Sequence, residues 1–366
     1  MKIDHIEAIL REIENKKALI LLVPGKNLYY LTQFNIKLSL ERPFLCLIDV
    51  LANNMFLVAS KLFEKEIDSS NFKKYYFYAD FENPFIALEK VIYEHELATD
   101  YVDLYTEKTL PCYIYNNICS LLKIKNTFYI DTIINKRRII KNNDEISNIM
   151  KAAYIVDETY KRICKESLLG KSEKEIAALI DYIMKSLGAD GSSFETIVAI
   201  SENAAQPHHV PNDRVVKNGD SIVLDFGAIY NNYCSDITRT VFIGEPEDEA
   251  KKIYFIVKEA QSEAIKTVVE GRTIKDIDVT ARKIITDYGY GDYFIHRTGH
   301  GIGLDVHEEP YITAENENII ANGMVFTVEP GIYIENKIGV RIEDDILVKD
   351  MAYTLTKSTK DLTILN

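Results

Sequence analysis

The sequence lacks a long apolar run. The longest, Ala18–Val23, is far shorter than the roughly 18 residues that a membrane-spanning helix needs. The first residues, MKIDHIEAILREIENKK, are charged throughout and show neither the apolar segment nor the cleavage site of a signal peptide. We therefore predict a cytoplasmic protein that has no membrane partner.

Cysteine is also scarce. The chain has five cysteines, an odd number, and no two of them have CxxC spacing. This excludes a disulfide framework and a zinc knuckle, and it suits a reducing compartment.

Basic residues are fewer than acidic ones. Lys and Arg number 43 and Asp and Glu 56, so the formal net charge is −13. A strongly acidic protein repels phosphate backbones, so we do not expect nucleic acid as a partner.

A chain of 366 residues favours two domains. The first third is typical of a mixed α/β unit, with an apolar strand that stops at Pro24-Gly25 and further strand-like runs at Phe44–Val50, Met55–Ala59 and Tyr75–Tyr78. Residues 134–143 are polar and basic, and we interpret them as the connection. The predicted domains are residues 1–133 and 134–366.

Beyond this connection, a helix–helix–strands order occurs twice. Two structurally similar halves and a chance repetition of common elements both explain the order, and the order alone does not decide between them. The predicted helices are 142/143 to about 167, 172–188, about 247–270 and 273–289, with capping boxes at Ser172/Glu175 and Thr273/Asp276; the predicted strands are 196–200, 221–226, 233–243, 325–334 and 339–348.

Two acids interrupt the strands of the first half, Asp225 and Asp236. If Asn231-Asn232 is a two-residue hairpin turn, positions that sum to 463 face each other, and Asp236 lies opposite Gly227. Asp225 then shares a face with Asp236 as its diagonal neighbour, roughly 7 Å away at Cβ. A cation fits between two such carboxylates.

The second half repeats this feature with Glu329 and Glu343. An isolated buried carboxylate is very costly, so the four acids are paired with bases, protonated or bound to metal. A solvated strand face explains any one acid, but it is a poor explanation for four acids in matching hairpins. We favour metal binding.

A glycine-rich segment, TGHGIGLDVHEEP, carries His300 and His307. It lacks the GxxxxGK[ST] pattern of a phosphate loop. One imidazole beside four carboxylates is a plausible nitrogen ligand, and the set favours Mn²⁺, Co²⁺, Fe²⁺ or Zn²⁺ over copper. Two such ions would activate water and polarise a scissile carbonyl.

Four segments resemble the pita-bread metallopeptidases, and most of all their Xaa-Pro dipeptidase (prolidase) and Xaa-Pro aminopeptidase branch. The resemblance covers the whole chain, since NLYYLTQF at residues 27–34 is similar to part of a creatinase-like N-terminal domain. It implies an α/β protein with a C-terminal pita-bread domain of two pseudo-symmetric halves and a smaller creatinase-like N-terminal α/β domain. The segments are LDFGAIYNNYCSDITRT, HRTGHGIGLDVHEEP, VFTVEPGIY and GVRIEDD.

The resemblance implies five metal ligands. Asp236 and Glu343 would bridge the two ions, and Glu329 would also orient or deprotonate the attacking water. The implied ligands are Asp225, Asp236, His300, Glu329 and Glu343.

The resemblance also implies roles for residues that do not bind metal. His208 would stabilise the oxyanion, and His307 would contact the substrate or donate a proton to the leaving nitrogen. His296, Arg341 and Tyr333 match substrate-pocket positions, and we expect the neighbouring His209 to be solvated.

Alternation along the strand puts Arg341 on the same face as Glu343. Arg341 could therefore bind the carboxylate of a dipeptide, or it could only neutralise the acids. Both interpretations stay open at this point.

The implied function is that of a hydrolase, a dinuclear-metal-dependent Xaa-Pro dipeptidase. An Xaa-Pro aminopeptidase of longer peptides is the alternative, and a metal-free creatinase-like hydrolase or a non-catalytic binding module is a remote one. The implied cofactors are two divalent ions, Mn foremost with Co, Zn or Fe as options. The expected partners are proline-containing di- or short peptides and a second copy in a homodimer.

Overall fold

The computed structural model describes residues 3–13, 17–68, 74–97 and 100–365. Residues 1–2 and 14–16 of the charged N-terminal stretch lie outside this part. The chain divides into two compact units, Met1–Lys136 and Arg137–Asn366. Among the helices described, none is both long and apolar enough to cross a membrane.

The first unit contains a mixed six-stranded sheet in the order β4-β3-β2-β1-β5-β6. Central strand β1 pairs antiparallel with β2 and parallel with β5, and all of its residues, ALILL, are buried. A strand covered on both faces needs such a continuous apolar run. The elements are α1 (Ile3–Glu12), β1 (Ala18–Leu22), α2 (Lys26–Thr32), β2 (Leu45–Asp49), β3 (Asn54–Ser60), α3 (Glu64–Asp68), β4 (Tyr75–Tyr78), α4 (Pro84–Glu94), β5 (Val102–Thr106), α5 (Cys112–Leu121) and β6 (Ile124–Tyr129), followed by α6 (Asp131–Arg138).

The second unit begins with two capped helices that pack on a four-stranded sheet, β20-β12-β9-β8. Asn142 with Glu145 and Ser172 with Glu175 form capping boxes, which satisfy amide groups at both helix starts. The elements of this half are α7 (Asn143–Ile163), α8 (Glu173–Ser186), β7 (Gly191–Ser192), β8 (Ile197–Ile200), β9 (Ser221–Phe226), β10 (Ala228–Tyr230), β11 (Tyr233–Cys234) and β12 (Ile237–Ile243).

The second half of this unit repeats the order, with two helices on a five-stranded sheet, β14-β13-β15-β18-β19. The predicted helix–helix–strands order therefore occurs twice. The elements are α9 (Asp248–Lys266), α10 (Lys275–Asp287), β13 (Gly299–Gly301), β14 (Glu308–Ile312), β15 (Val325–Val328), β16 (Gly331–Ile334), β17 (Ile338–Arg341), β18 (Asp344–Lys349), β19 (Met351–Thr354) and β20 (Thr363–Leu365).

The predicted start of α10 is wrong. The helix begins at Lys275 after Ile274, whose side chain makes no capping bond. Thr273 instead forms an isolated bridge with Ile319, so its backbone is already committed to an extended pairing.

The register predicted for the first hairpin is confirmed. Thr238 faces Asp225 in the β9–β12 pair, and Tyr233 faces Tyr230 in the β10–β11 pair. Paired positions therefore sum to 463 in both pairs, as predicted. Asn231 and Asn232 both have positive φ, 47° and 69°, as a type I′ turn requires.

The hairpin strands are shorter than predicted, because the strands are interrupted near their acidic residues. Asp236 lies between β11 and β12, Glu329 between β15 and β16, and Glu343 between β17 and β18. Pro330 lacks an N–H and cannot continue the ladder beyond Glu329. In the second hairpin, paired positions sum to 672 on both sides of the break, and this register sets Glu329 opposite Glu343.

Candidate metal centre

A cavity of about 290 Å³ lies in the second unit. This volume is near the lower end of the ~300–1,000 Å³ usual for small-molecule sites. Its wall combines side chains from both halves of the unit. The polar lining residues are Glu195, His208, His209, Asp225, Asp236, His296, Arg297, His300, His307, Glu329, Arg341 and Glu343.

The five predicted ligands meet in this cavity. Asp225 projects from β9, His300 is the middle residue of β13, and the other three acids lie at the strand breaks. Single ligand atoms of Asp236, His300 and Glu343 all lie within 4.8 Å of one another. The Glu329 Oε1 atom lies 3.4 Å from the His300 Nε2 atom.

The cluster contains polar atoms that have no partner in the described structure. Asp225 Oδ1, Asp236 Oδ1 and Glu343 Oε1 are buried and accept no hydrogen bond. Buried carboxylate oxygens normally pair with donors or coordinate metal. The residues therefore fit a hard cation bound by oxygen and one imidazole nitrogen.

The local pKa values have the pattern of a desolvated ligand set. Burial, together with the charge of Glu343, raises the pKa of Asp236 above its usual range. Burial raises the pKa of Glu329 to about 7 and also raises that of Glu343, where the charge of Glu329 adds to the effect. Burial and the neighbouring His307 lower the pKa of His300 to about 3, so His300 is neutral, the form that binds metal.

The orientation of His300 leaves one nitrogen available. Its Nδ1 lies 3.1 Å from the Gly301 carbonyl, which can only accept, so Nδ1 carries the proton. Nε2 then presents its lone pair towards Asp236 and Glu329.

Three supporting residues were not predicted from the sequence. Thr238 Oγ1 donates to Glu343 Oε2 at 2.6 Å, and the buried Asp345 accepts from the backbone N–H of Asp236 at 3.0 Å. Thr327 Oγ1 accepts from the N–H of His300 at 3.2 Å. Such contacts orient ligands, and the only sequence signal was the placement of a polar residue in an otherwise apolar strand.

Arg341 faces the cavity, as alternation predicted, although β17 ends at this residue. Its guanidinium forms an ion pair with Asp225 and donates to Thr238 Oγ1 at 3.1 Å and to the Tyr333 hydroxyl at 2.8 Å. Arg341 is thus engaged on several sides by the site itself.

Tyr333 connects two cavity residues. Its hydroxyl lies 2.8 Å from His296 Nε2 and accepts from Arg341. His296 Nδ1 donates to the Arg297 carbonyl at 2.7 Å, and burial together with Arg341 lowers the His296 pKa to about 3. His296 and Arg341 line the cavity, whereas Tyr333 is buried, is not among the lining residues and contacts both of them.

His208 and His307 both line the cavity. The His307 ring stands edge-on to that of His300, with centroids 4.3 Å apart. Burial and the nearby Arg297 lower the His307 pKa.

The expectation for His209 is wrong. His209 is buried, and its Nε2 lies 2.7 Å from Glu173 Oε2. The partner is 36 residues away, so no local pattern indicates the pairing.

The segment that bears His307 is anchored by buried charges. Glu308 lies 2.9 Å from the Lys141 ammonium and forms an ion pair with Arg138, which also bonds Asp305 at 2.6 Å. Arg138 and Lys141, which the sequence placed in the connection between domains, therefore form structural ion pairs within the second unit.

Four buried acids and one neutral imidazole share one cavity with further histidines, an arrangement typical of a metal-dependent hydrolase. Residues 147–350 match the model of metallopeptidase family M24. The chain belongs to this family.

Known proteins resemble most of the chain. An Xaa-Pro dipeptidase from Pyrococcus furiosus is 42% identical over 280 residues, 76% of this chain and 80% of that protein. A recombinant prolidase from Thermococcus sibiricus has 42% identity and a TM-score of 0.94, covering 100% of this chain and 99% of its own. An X-Pro aminopeptidase from Thermotoga maritima has 33% identity and a TM-score of 0.83, covering 96% and 99%.

These similarities confirm the predicted family and fold. The second unit is a pita-bread domain of two pseudo-symmetric halves, accompanied by a smaller N-terminal α/β domain. The chain is a metallopeptidase, and the family implies divalent metal ions.

Proposed function

We propose that this protein hydrolyses the bond between an N-terminal residue and proline in dipeptides. The observation that carries the proposal is that the five proposed ligands meet His208 and His307 in one cavity, where buried carboxylate oxygens lack partners. The proposal is supported by relatives that are named Xaa-Pro dipeptidase and prolidase.

Two divalent ions would be held by the five ligands, among which Asp236, His300 and Glu343 have ligand atoms that all lie within 4.8 Å of one another. When bound, the ions would supply Lewis-acid chemistry and lower the pKa of a water molecule. The hard, oxygen-rich set is compatible with Mn²⁺, which we propose as the native ion, with Co²⁺, Zn²⁺ or Fe²⁺ as alternatives. The full set is Asp225, Asp236, His300, Glu329 and Glu343.

Three side chains would move or hold protons. Glu329 would accept the proton of the attacking water as the oxygen bonds to the carbonyl carbon. His208 would donate a hydrogen bond to the carbonyl oxygen while it bears negative charge. His307 would protonate the proline nitrogen as the C–N bond breaks.

Proline selectivity follows from what the substrate lacks. An Xaa-Pro bond has no N–H, and the ring holds φ near −65°. A rigid pocket wall complements the rigid proline ring of a substrate better than it complements a flexible substrate residue. His296 and Arg341, held together by Tyr333, would provide part of this wall.

An Xaa-Pro aminopeptidase of longer peptides is the second candidate, favoured by the similarity to the Thermotoga maritima structure. We further propose a cytoplasmic homodimer that acts on proline-containing di- or short peptides, as the family resemblance implies.

The test compares hydrolysis of Ala-Pro and Ala-Pro-Ala by the same preparation, before and after chelation and after addition of Mn²⁺. We expect Ala-Pro to be cleaved preferentially, activity to vanish on chelation, and Mn²⁺ to restore it. Metal analysis should give two ions per chain.

Asp236→Ala serves as the matched variant in this comparison. It should abolish hydrolysis and lower the metal content, because it removes one of the five proposed ligands. Preferential cleavage of Ala-Pro-Ala would establish the aminopeptidase instead, and full activity of chelated protein would contradict the metal-dependent mechanism.

A further inference from the structure

The segment that carries His208 connects β8 to β9 and has little secondary structure of its own. Within residues 201–220, one short 3₁₀ helix, Ser201–Ala205, is the sole regular element described. Ser201 has a positive φ of 48°. A side chain on such a segment keeps its place only if the rest of the molecule holds the segment.

The side chain of Glu173, the first residue of α8, binds this segment from the interior of the domain. Its side chain is fully buried, at 0% exposure. Oε1 accepts from the N–H of Ile200 and from Asn203 Nδ2, both at 2.9 Å. Oε2 accepts from the N–H of Asn212 at 2.9 Å and lies 2.7 Å from His209 Nε2.

These four partners lie on both sides of His208 in the chain. Ile200 and Asn203 precede it, while His209 and Asn212 follow it. One carboxylate therefore ties together the two limbs of the segment. Hydrogen bonds to a charged acceptor are roughly twice as strong as neutral ones, so this is a firm attachment.

Further contacts hold other parts of the same segment. Arg214 forms two bonds of 2.9 Å with Glu202 and contacts Asp220 at 3.1 Å. A Cβ atom on Gly339 would lie 1.7 Å from the Ala204 carbonyl oxygen, so the hairpin packs directly against the 3₁₀ helix.

We infer that Glu173 is a positioning residue, which acts on the reaction by holding His208 at the cavity. The inference rests on the proposed role of His208. Glu173 does not line the cavity. Its effect on turnover would therefore pass through the segment that it binds.

The test is a double-mutant cycle with Glu173→Gln and His208→Ala, with kcat on Ala-Pro as the readout. Gln keeps the shape but replaces one acceptor oxygen with a donor, so at least one backbone N–H loses its partner. A displacement of about 1 Å can cost about 10²-fold in rate. We expect Glu173→Gln to lower kcat by up to about 10²-fold, with unchanged metal content.

In the His208→Ala background, Glu173→Gln should change kcat by less than about twofold, because residues that act as one unit are not additive. Equal losses in both backgrounds would overturn the inference. Normal kcat in His208→Ala alone would contradict the proposed role of His208. Normal kcat in Glu173→Gln, with His208→Ala impaired, would contradict the positioning role alone.

Asp157→Asn is the matched control. Asp157 is a buried acid on α7 that accepts three bonds of 2.6–2.7 Å from Lys357 and Ser358, which do not line the cavity. It should lose stability but keep kcat within about twofold. An equal kcat loss in this control would make the effect of Glu173→Gln a general one and overturn the inference.

Should Glu173→Gln fail to fold, Asn203→Ala removes one of the four bonds. It should give a smaller kcat loss that again disappears in the His208→Ala background. A loss that persists there would overturn the inference.

Discussion

The guanidinium of Arg341 has an acceptor at each of its nitrogens. Nε contacts Thr238, Nη1 contacts Tyr333 and Nη2 pairs with Asp225. A cation engaged in this way has little capacity left for the carboxylate of a dipeptide. Of the two interpretations that the sequence left open, the contacts favour the counter-charge.

We therefore expect Arg341→Met to reduce hydrolysis of Ala-Pro and of Ala-Pro-Ala to a similar extent. It should also destabilise the metal-free protein by about 3–5 kcal/mol, because it leaves a buried carboxylate without its partner. Steady-state kinetics on both peptides and urea denaturation measure the two effects.

Arg341→Lys is the control, since it keeps the charge but not the forked geometry. It should recover part of the stability. A selective rise in KM for Ala-Pro in the Met variant would instead assign Arg341 to substrate recognition.

What the sequence predicts at this scale depends on distance along the chain. The orientation of Arg341 follows from strand alternation over two residues, and it was predicted. The partner of His209 is Glu173, which no local rule connects with it. The same holds for Asp345, whose contact with Asp236 spans 109 residues.

Among the secondary-structure elements, the two hairpins differ in how far their registers could be predicted. Asn231-Asn232 predicts its own turn type, and the register follows along β9 and β12. The other turn, around Asn336, contains no glycine and forms a three-residue loop, for which the sequence offered no equally specific signal. The direct opposition of Glu329 and Glu343 was therefore missed.

Close packing of β17 against the 3₁₀ helix gives a prediction for Gly339→Ala. Backbone atoms must move apart to admit the new Cβ. The variant should lower the melting temperature by several degrees, as a loss of about 1 kcal/mol or more would, and it should lower kcat by moving the segment that bears His208.

Gly191→Ala is the matched control for this substitution. A Cβ atom at Gly191 would have no neighbour within 4 Å, and its φ is not in the left-handed region. Its melting temperature and kcat should stay near those of the wild type. A wild-type kcat in Gly339→Ala would mean that the 3₁₀ helix moves without carrying His208 along.

At the scale of the whole molecule, the buried carboxylates of the proposed ligand set are expected to destabilise the metal-free folded state. The raised pKa of Glu329, about 7, exceeds the ordinary value of 4.5 because of burial. Between these values the folded state binds more protons than the unfolded state. Protonation of Glu329 therefore contributes its full stabilisation of the folded state below pH 4.5. This stabilisation is lost as the pH rises through about 7.

Glu329→Gln should therefore stabilise the metal-free protein at pH 8 and have little effect at pH 5. Thermal unfolding of chelated protein at the two pH values measures the difference. Adding Mn²⁺ at pH 8 should reverse the order, because the wild type has the better ligand.

Glu315→Gln, at an exposed position, is the control and should show no pH-dependent difference. If Glu329→Gln lowers the melting temperature of chelated protein at pH 8, Glu329 is already stabilised as a carboxylate without metal.

The proposed metal ligands come from both halves of the second unit. One half contributes Asp225 and Asp236, and the other contributes His300, Glu329 and Glu343. Neither half alone contains all five proposed ligands, so tight metal binding requires that the two halves have packed together. Ion binding would then stabilise the state in which the two halves are packed together, and would shift the folding equilibrium towards that state. Bound metal would also report that this packing is complete.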